Sequence, residues 1–358
     1  MTRGGSVSQA TGNSTIADVA RRAGVSLKSV SRVINKEPHV SPKLLAKVSA
    51  AISELNYVPD PAARSLAGQR SFTIGLLFDN PSPHYTMKAI IGAYRACVAQ
   101  GYHMRFDTLN SRSGSALLSS QLDAVVRNGR TDGFVLTPPL TDNREVLDYL
   151  ERHNIQYVRI APAIDPGRSA AVSIDDVAAA AQAAQYLCDL GHRIIGLVNG
   201  PPDHGAAITR RQGFIERLKS ISPDIVLHEA KGDFLFESGI SAGEALLSED
   251  PRPTAIFATN DDMAAGLLVA CGRCRLVVPD DVSLVGFDDS WIATSVWPYL
   301  TTVHQPIEDM AAEAVQLLLA QTKHGQPYED HMLDYHLVVR ESSSPPAEVT
   351  SDERTAHR

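Results

Sequence analysis

From Phe72 onward, short continuous apolar runs alternate with stretches of helical periodicity, and few folds satisfy that alternation. The runs FTIGLLF, YHMRF, GFVLT and YVRIA interleave with MKAIIGAYRACVAQ, ALLSSQLDAVVRN and EVLDYLERH. A second series sets RIIGLVN, IVLHEA, TAIFAT and VSLVGF among VAAAAQAAQYLCDL, RRQGFIERLKS, SGISAGEALLS, MAAGLLVACG and IEDMAAEAVQLLLAQ. A strand that is apolar along its whole length is covered on both faces. In an alternating chain this means a parallel sheet between two helix layers. Two such series predict two similar α/β lobes. Sheets of this kind bind ligands at the carboxyl ends of their strands, and a cleft between lobes supplies the facing wall.

The motifs that would make such a chain an enzyme are missing. No GxGxxG or GxxxxGK[ST] follows a strand, and HExxH does not occur. The one GxSxG, Gly239 to Gly243, falls inside the helical stretch SGISAGEALLS rather than at a strand-to-helix turn. No catalytic activity, cofactor or metal is expected, and a cleft enzyme built from scattered Asp and His is the outlying alternative. Cys271 and Cys274 form a CxxC without a second ligand pair. With Cys97 and Cys188 they read as small packing residues. No run of about 18 apolar residues predicts a membrane span. The opening MTRGGSVSQATGNS lacks the apolar core of a secretory signal, so a cytoplasmic protein is expected.

The net charge of −8 hides a division. Residues 1–70 hold ten Lys/Arg against four Asp/Glu, giving +6, and the remainder holds 23 basic and 37 acidic residues, giving −14. A basic head on an acidic body directs only the head to a polyanion. Its sequence, TIADVARRAGVSLKSVSRVIN from Thr15 to Asn35, reads as two short helices and a tight turn. Thr15 with Asp18 suits a capping box, Gly24 a helix stop, and Ser26 the next cap. In the second helix Val30, Val33 and Ile34 point inward while Lys28, Ser29, Ser31 and Arg32 stay outside. A third helix opens at Ser41-Pro42 with the stripe Leu44, Val48, Ile52 and Leu55. A helix held outward in this way suits a DNA major groove: Leu27 offers a surface for a thymine methyl, Lys28 and Arg32 donors for guanine. Asp60-Pro61 to Gly68 then encodes a helix of roughly seven residues, too short to be stable alone.

These residues resemble the head and hinge of the LacI/GalR family of bacterial repressors, contiguously from TIADVARRAGVSLKSVSRVIN through HVSPKLLAKVSAAISELNYVPDPAARSLAG. The resemblance implies that Leu27, Lys28 and Arg32 read bases. It sets Thr15, Ser26, Ser31, Asn35, His39 and Tyr57 at or near the DNA backbone, and makes Leu66 a minor-groove wedge. The body resembles the family's periplasmic-binding-protein-like sensor through GHRIIGLVNG, TRRQGF, AIFATNDDMAAG, VSLVGFDD and LTTVHQP. It implies that Arg210 grips effector oxygens, that Asn260 and Asp288 are polar contacts, and that Asp79 and Tyr85 lie in a closing loop. Phe234 and Ile307 would pack on the ligand. Read by themselves, Asn260 and Asp288 also suit plain helix caps, Arg210 a surface ion pair and Phe234 the core. Two departures stand out: FDNPSPHYT is about one residue short with His84 at a usual aromatic, and alanines 178–181 replace a usual glycine.

The fold expected is thus a small all-α helix-turn-helix head on an α/β sensor of two doubly wound parallel-sheet lobes. The segments expected are a disordered 1–13, a head at 14–58, a hinge helix at 59–70, a sensor at 71–341 and a disordered tail at 342–358. Within the sensor, one lobe takes about 71–163 and 290–323, the other about 164–289 and 324–341. Trp291 and Trp297 are expected to pack at the lobe hinge or to line the cleft. The function expected is a homodimeric or tetrameric repressor on a near-palindromic operator of carbohydrate genes. It would associate with the nucleoid when bound and be released by a sugar or glycoside. A corepressor-dependent regulator binding a nucleobase-like ligand is the alternative.

Overall fold

The computed structural model describes residues 14–34, 39–57, 70–324 and 330–347, with side chains of the last sensor helix described to Gln321. Two units separate after Phe72. Asn35, Leu66, the expected hinge helix apart from Arg70, and the tail before Ser14 lie outside the described residues.

In the first unit α1 (Ile16–Ala23), α2 (Leu27–Ile34) and α3 (Pro42–Glu54) enclose Val19, Ala20, Val30, Val33, Val48 and Ala51. The sequence's punctuation is used as read. Thr15 Oγ1 accepts the Asp18 N–H at 3.3 Å while the Thr15 N–H donates to the Asp18 carboxylate at 2.9 Å, closing the capping box. Gly24 ends α1 at φ +65°, a left-handed turn that its missing Cβ permits. The Ser26 hydroxyl accepts the Ser29 N–H at 3.1 Å, and Ser41 that of Leu44 at 3.3 Å. An Arg22–Glu54 pair and a Ser14 bond to the Leu55 carbonyl tie α1 to the end of α3.

The second unit is the two-lobed sensor. Strands β1 (Thr73–Phe78), β2 (His103–Thr108), β3 (Gly133–Leu136), β4 (Tyr157–Ile160) and β5 (Ala171–Ser173) belong to the first sheet. Strands β6 (Ile194–Asn199), β7 (Val226–Lys231), β8 (Ala255–Ala258), β9 (Ser283–Asp288) and β10 (Thr301–His304) belong to the second. The chain then returns, β11 (Asp330–Met332) to the first sheet and β12 (His336–Val338) to the second, giving orders β11-β5-β4-β3-β1-β2 and β12-β10-β9-β8-β6-β7. Every pair is parallel except β10–β12. Central β3 and β8 are buried at every residue, as their unbroken apolar runs require, whereas edge strands β2 and β7 carry exposed side chains. Strand β4 is buried throughout although Arg159 interrupts its run, its guanidinium donating to Ser169 and to the Ile164 and Asp165 carbonyls. The covering helices are α4 (Pro83–Ala99), α5 (Ser115–Arg127), α6 (Arg144–Arg152), α7 (Asp176–Asp189), α8 (Gly205–Ile221), α9 (Phe236–Leu247), α10 (Asp261–Arg273) and α11 (Ile307–His324).

The lobe boundaries differ from those expected. The crossings fall after β5, after β10 and between β11 and β12, not near residues 163, 289 and 323. The reason is β5, β11 and β12, each three residues long: such short strands carry no periodicity, and they exist because neighbouring strands offer them hydrogen bonds. The expected disordered tail starts too early as well. Ser342 is buried, its hydroxyl donates to the Leu284 carbonyl at 2.6 Å and accepts the Thr301 N–H at 2.8 Å, and Ser344 pairs with Ser283. Residues 342–344 therefore line the second sheet; the rest of the expected tail from residue 348 is outside the described residues. Trp291 and Trp297 are 45% and 72% exposed, on the loop between β9 and β10, and pack in neither expected place.

Close helix contacts set the cleft geometry. A Cβ on Gly213 would stand 2.0 Å from the Val177 carbonyl oxygen, so α7 and α8 touch backbone to backbone there. One turn earlier on α8, that contact brings Arg210 beside Asp176 at the start of α7.

Candidate functional site

In the head, Leu27 is 53% exposed at the start of α2, and Lys28 is exposed beside it. Ser29 shares a 2.9 Å hydrogen bond with Ser26, while Ser31 and Arg32 lie half-buried along the same helix. His39 is exposed at φ +64°, and Tyr57 packs against the head core. An apolar surface and a cation, free at the amino end of a helix whose other face is buried, match what a groove-reading helix must present.

The cleft has the opposite character, with charge hidden and largely satisfied. Arg210 on α8 is buried, its Nε donates to Asp176 at 2.7 Å, one terminal nitrogen to the Thr259 carbonyl at 2.7 Å and to Asp288 at 3.2 Å, and the other to Gln305 Oε1 at 2.9 Å. Its guanidinium lies 3.7 Å from the centre of the Phe287 ring. Burial pushes Asp288 up to about 7, against the pull of Arg210, and nearby Asp262 and Asp176 add to the rise. Asp261, beside it at the start of α10, is pushed well above the usual carboxylate range by burial and by Asp288, although Thr302 and Ser290 donate to it.

Around this cluster the strand ends surround a small cavity of about 20 Å³, whose walls include Tyr85, His204, Arg210, Phe234, Asp288 and Gln305. Asn80, Ser82 and Asn260 complete its polar lining. Asp288 and Phe234 hold φ +104° and +70°, left-handed conformations that strain any residue with a Cβ and that cluster where function requires them. Gly200 makes room for the Phe234 ring, since a Cβ there would lie 2.3 Å from it. His204 meets Phe234 edge to face at 4.9 Å. Burial, then the charge of Arg210, pushes His204 down to about 3, so its ring is neutral.

Of the residues expected at the effector, Tyr85, Arg210, Phe234, Asn260 and Asp288 share this cavity. Asn260 is also the helix cap it resembled, its oxygen accepting the Met263 N–H at 3.0 Å and its amide donating to the Phe234 carbonyl. Two residues are elsewhere. Asp79 accepts from the Ser111 N–H and hydroxyl and lines an adjoining open recess of about 460 Å³. Ile307 is buried at the start of α11, and Gln305, two residues earlier, reaches the cavity in its place. Gln305 falls within LTTVHQP, where nothing local sets it apart, and no motif marks His204. Among the described residues no cluster of three metal ligands occurs, and no helix is long and apolar enough to cross a membrane.

Residues 15–60 match the model of the bacterial regulatory proteins of the lacI family, and residues 184–343 match a periplasmic binding protein-like domain. The ribose operon repressor of Escherichia coli K12 is 35% identical over 308 residues, which cover 85% of this chain and 92% of that protein. The chain belongs to the LacI family. It is a DNA-binding transcriptional regulator and not an enzyme. The HTH-type transcriptional repressor PurR of Proteus mirabilis is 36% identical over 315 residues, 85% of this chain and 89% of its own. Among solved structures, the lac repressor dimer bound to operator and the anti-inducer ONPF superposes with a TM-score of 0.72 at 28% identity, covering 93% of this chain and all of that one. This LacI-family chain thus joins a helical reader to a sensor whose cleft surrounds a buried, charge-balanced arginine.

Proposed function

We propose that this regulator is a cytoplasmic homodimeric repressor of carbohydrate-utilisation genes, released from a near-palindromic operator when an uncharged sugar or glycoside occupies the cleft. One observation carries the ligand class. Tyr85 Oη, both ring nitrogens of His204 and Gln305 Nε2 are buried without a protein partner, all on residues that line the cavity. An unpaired buried polar atom costs about 1–3 kcal/mol, and hydroxyl groups, which both donate and accept, relieve that cost. Charge argues the same way. Arg210 is already balanced by Asp176 and Asp288, and His204 is neutral, so among the described residues that line the cavity itself a buried phosphate or carboxylate would find no free cation. Phe234 supplies the apolar face that a sugar's C–H surface needs. The adjoining recess shares Asn80 and His204 with the cavity and suits the second group of a glycoside.

At the other end Lys28 and Arg32 read guanine and Leu27 a thymine methyl, with Thr15, Ser26, Ser29, Ser31, Asn35, His39 and Tyr57 near the backbone and Leu66 as the wedge. Two heads need a symmetric pair of half-sites, which a homodimer provides. Coupling between cleft and head of about 1–3 kcal/mol would change operator affinity 5–150-fold.

A thermal-shift screen of neutral monosaccharides and glycosides beside their phosphorylated and acidic counterparts tests the ligand. Neutral sugars are expected to raise the melting temperature, and a strongest response to a sugar phosphate or uronate would refute the assignment. Tyr85→Phe should weaken the response while leaving operator affinity unchanged. Arg32→Ala should lose about 1–3 kcal/mol of discrimination at one base pair. The aromatic wall of Phe234 also favours a flat nucleobase acting as corepressor. In that case ligand tightens operator binding in an anisotropy titration instead of loosening it.

A further inference from the structure

Between the lobes, beside the Arg210 cluster, stands a second set of contacts, one of whose members, Ser82, also lines the cavity. Asp262, in the first turn of α10 in the second lobe, is buried, and both its carboxylate oxygens are engaged by the first lobe. Ser82 Oγ donates to Oδ2 at 2.6 Å, and His84 Nδ1 meets Oδ1 at 2.7 Å. The Ser82 oxygen at the same time accepts the Tyr85 N–H at 3.2 Å, capping α4. One turn beyond His84, Lys88 Nζ donates to the Asp289 carbonyl at 2.6 Å, at the end of β9 in the second lobe. The opening turns of α4 thus hold the second lobe at two points, and Tyr85, between Ser82 and Lys88, faces the cavity.

We propose that Asp262 is the catch of an interlobe clasp, with Ser82 and His84 as its hooks, which sets how far the cleft closes and positions Tyr85 over the cavity. Three features support this. The bonds join a sequence separation of about 180 residues through one carboxylate, so rigid-body opening of the lobes breaks them together. Ser82 and Asp262 are nearly withdrawn from solvent, at 3% and 4% exposure, so water competes poorly while the cleft is shut. When it opens, the same groups become hydrated, which makes the clasp reversible. The Ser82 hydroxyl links the two states to ligand binding: it accepts from the turn that presents Tyr85, donates to the catch, and itself lines the cavity. Ser82, His84 and Asp262 are positioning residues, acting through the lobe angle and Tyr85.

The clasp predicts behaviour of the intact protein with no ligand added, which keeps it separable from the sugar assignment. Small-angle X-ray scattering of the full chain reads lobe closure. Asp262→Ala is expected to shift the open–closed equilibrium on the order of 10-fold toward open, the scale of losing hydrogen bonds to a charged group, and so to raise the radius of gyration. His84→Ala should shift it the same way by less, because Ser82 still holds the catch. In the Asp262→Ala background, His84→Ala should add nothing. Scattering identical to wild type in both single variants overturns the clasp, as does a His84→Ala effect of equal size with and without Asp262. Should Asp262→Ala fail to unfold cooperatively, His84→Ala decides alone, since His84 sits at the first lobe's surface. Expansion of the variants together with a thermal-shift screen blank for every sugar would retain the clasp and remove the sugar.

Discussion

The head and the cleft both present polar groups to a partner, but they prepare them in opposite ways. In the head, Leu27 and Lys28 stand in water on a helix that is folded by its other face, around Val30 and Val33. Their exposure costs the fold nothing, and removing one leaves the three-helix core intact. In the cleft, Arg210 is buried, and four protein groups already hold it. A site of the first kind can change its specificity without changing its stability. In a site of the second kind the same residue serves both, so recognition and folding are coupled.

The strongest way to break that distinction is Arg210→Ala. It would leave buried Asp288 and half-buried Asp176 without their cation, and losing one partner of a buried pair costs about 3–5 kcal/mol. Urea unfolding of the sensor should show that loss; a change below about 1 kcal/mol would make Arg210 a ligand contact only, as separable as Lys28. His204 sharpens the comparison through pH. Its folded value, about 3, lies below the ordinary 6.5, so between those limits the unfolded chain binds the extra proton. The stability due to a neutral His204 is complete above pH 6.5 and is lost as pH falls toward 3, amounting to about 2 kcal/mol lost by pH 5. His204→Gln should therefore flatten the melting temperature between pH 6.5 and 5; an unchanged acid limb would contradict a buried neutral ring. The smallest effect belongs to the head. Thr15→Ala removes the capping-box hydroxyl and should lower head stability by about 1 kcal/mol, with the sensor's unfolding midpoint unmoved.

The two regions were also unequally legible. Each element of the head announces itself within four residues: Thr15 with Asp18, Gly24, Ser26, Ser41 with Pro42. Local hydrogen bonds and backbone preference act over one turn of chain, so the structure repeats them without revision. The sensor's long apolar runs were equally plain, because a strand buried on both faces must be apolar throughout. Less was visible at the cleft. Asp288 and Arg210 fell in recognisable stretches, yet nothing local distinguishes Gln305 from a loop glutamine or His204 from a surface histidine. Ile307 lies two residues past Gln305, which is the side chain that reaches the cavity. Asp79 lines the adjoining recess one residue before the cavity-lining Asn80, a small step in sequence that turns a side chain to another face.

Alternation of apolar runs, helix caps and the split between a +6 head and a −14 body established the fold class and the partner of the head from the chain alone. Those are properties of short segments, and short segments carry their own periodicity and charge. Tertiary structure decided where the chain changes lobes, because β5, β11 and β12 are strands only through their neighbours. It also brought Arg210, Asp176, Asp288 and Gln305 within hydrogen-bonding distance across more than a hundred residues of chain. Burial then does what no spacing in the sequence encodes. With water excluded, it raises Asp288, keeps His204 neutral, and leaves Tyr85 and Gln305 with polar atoms that a ligand can satisfy.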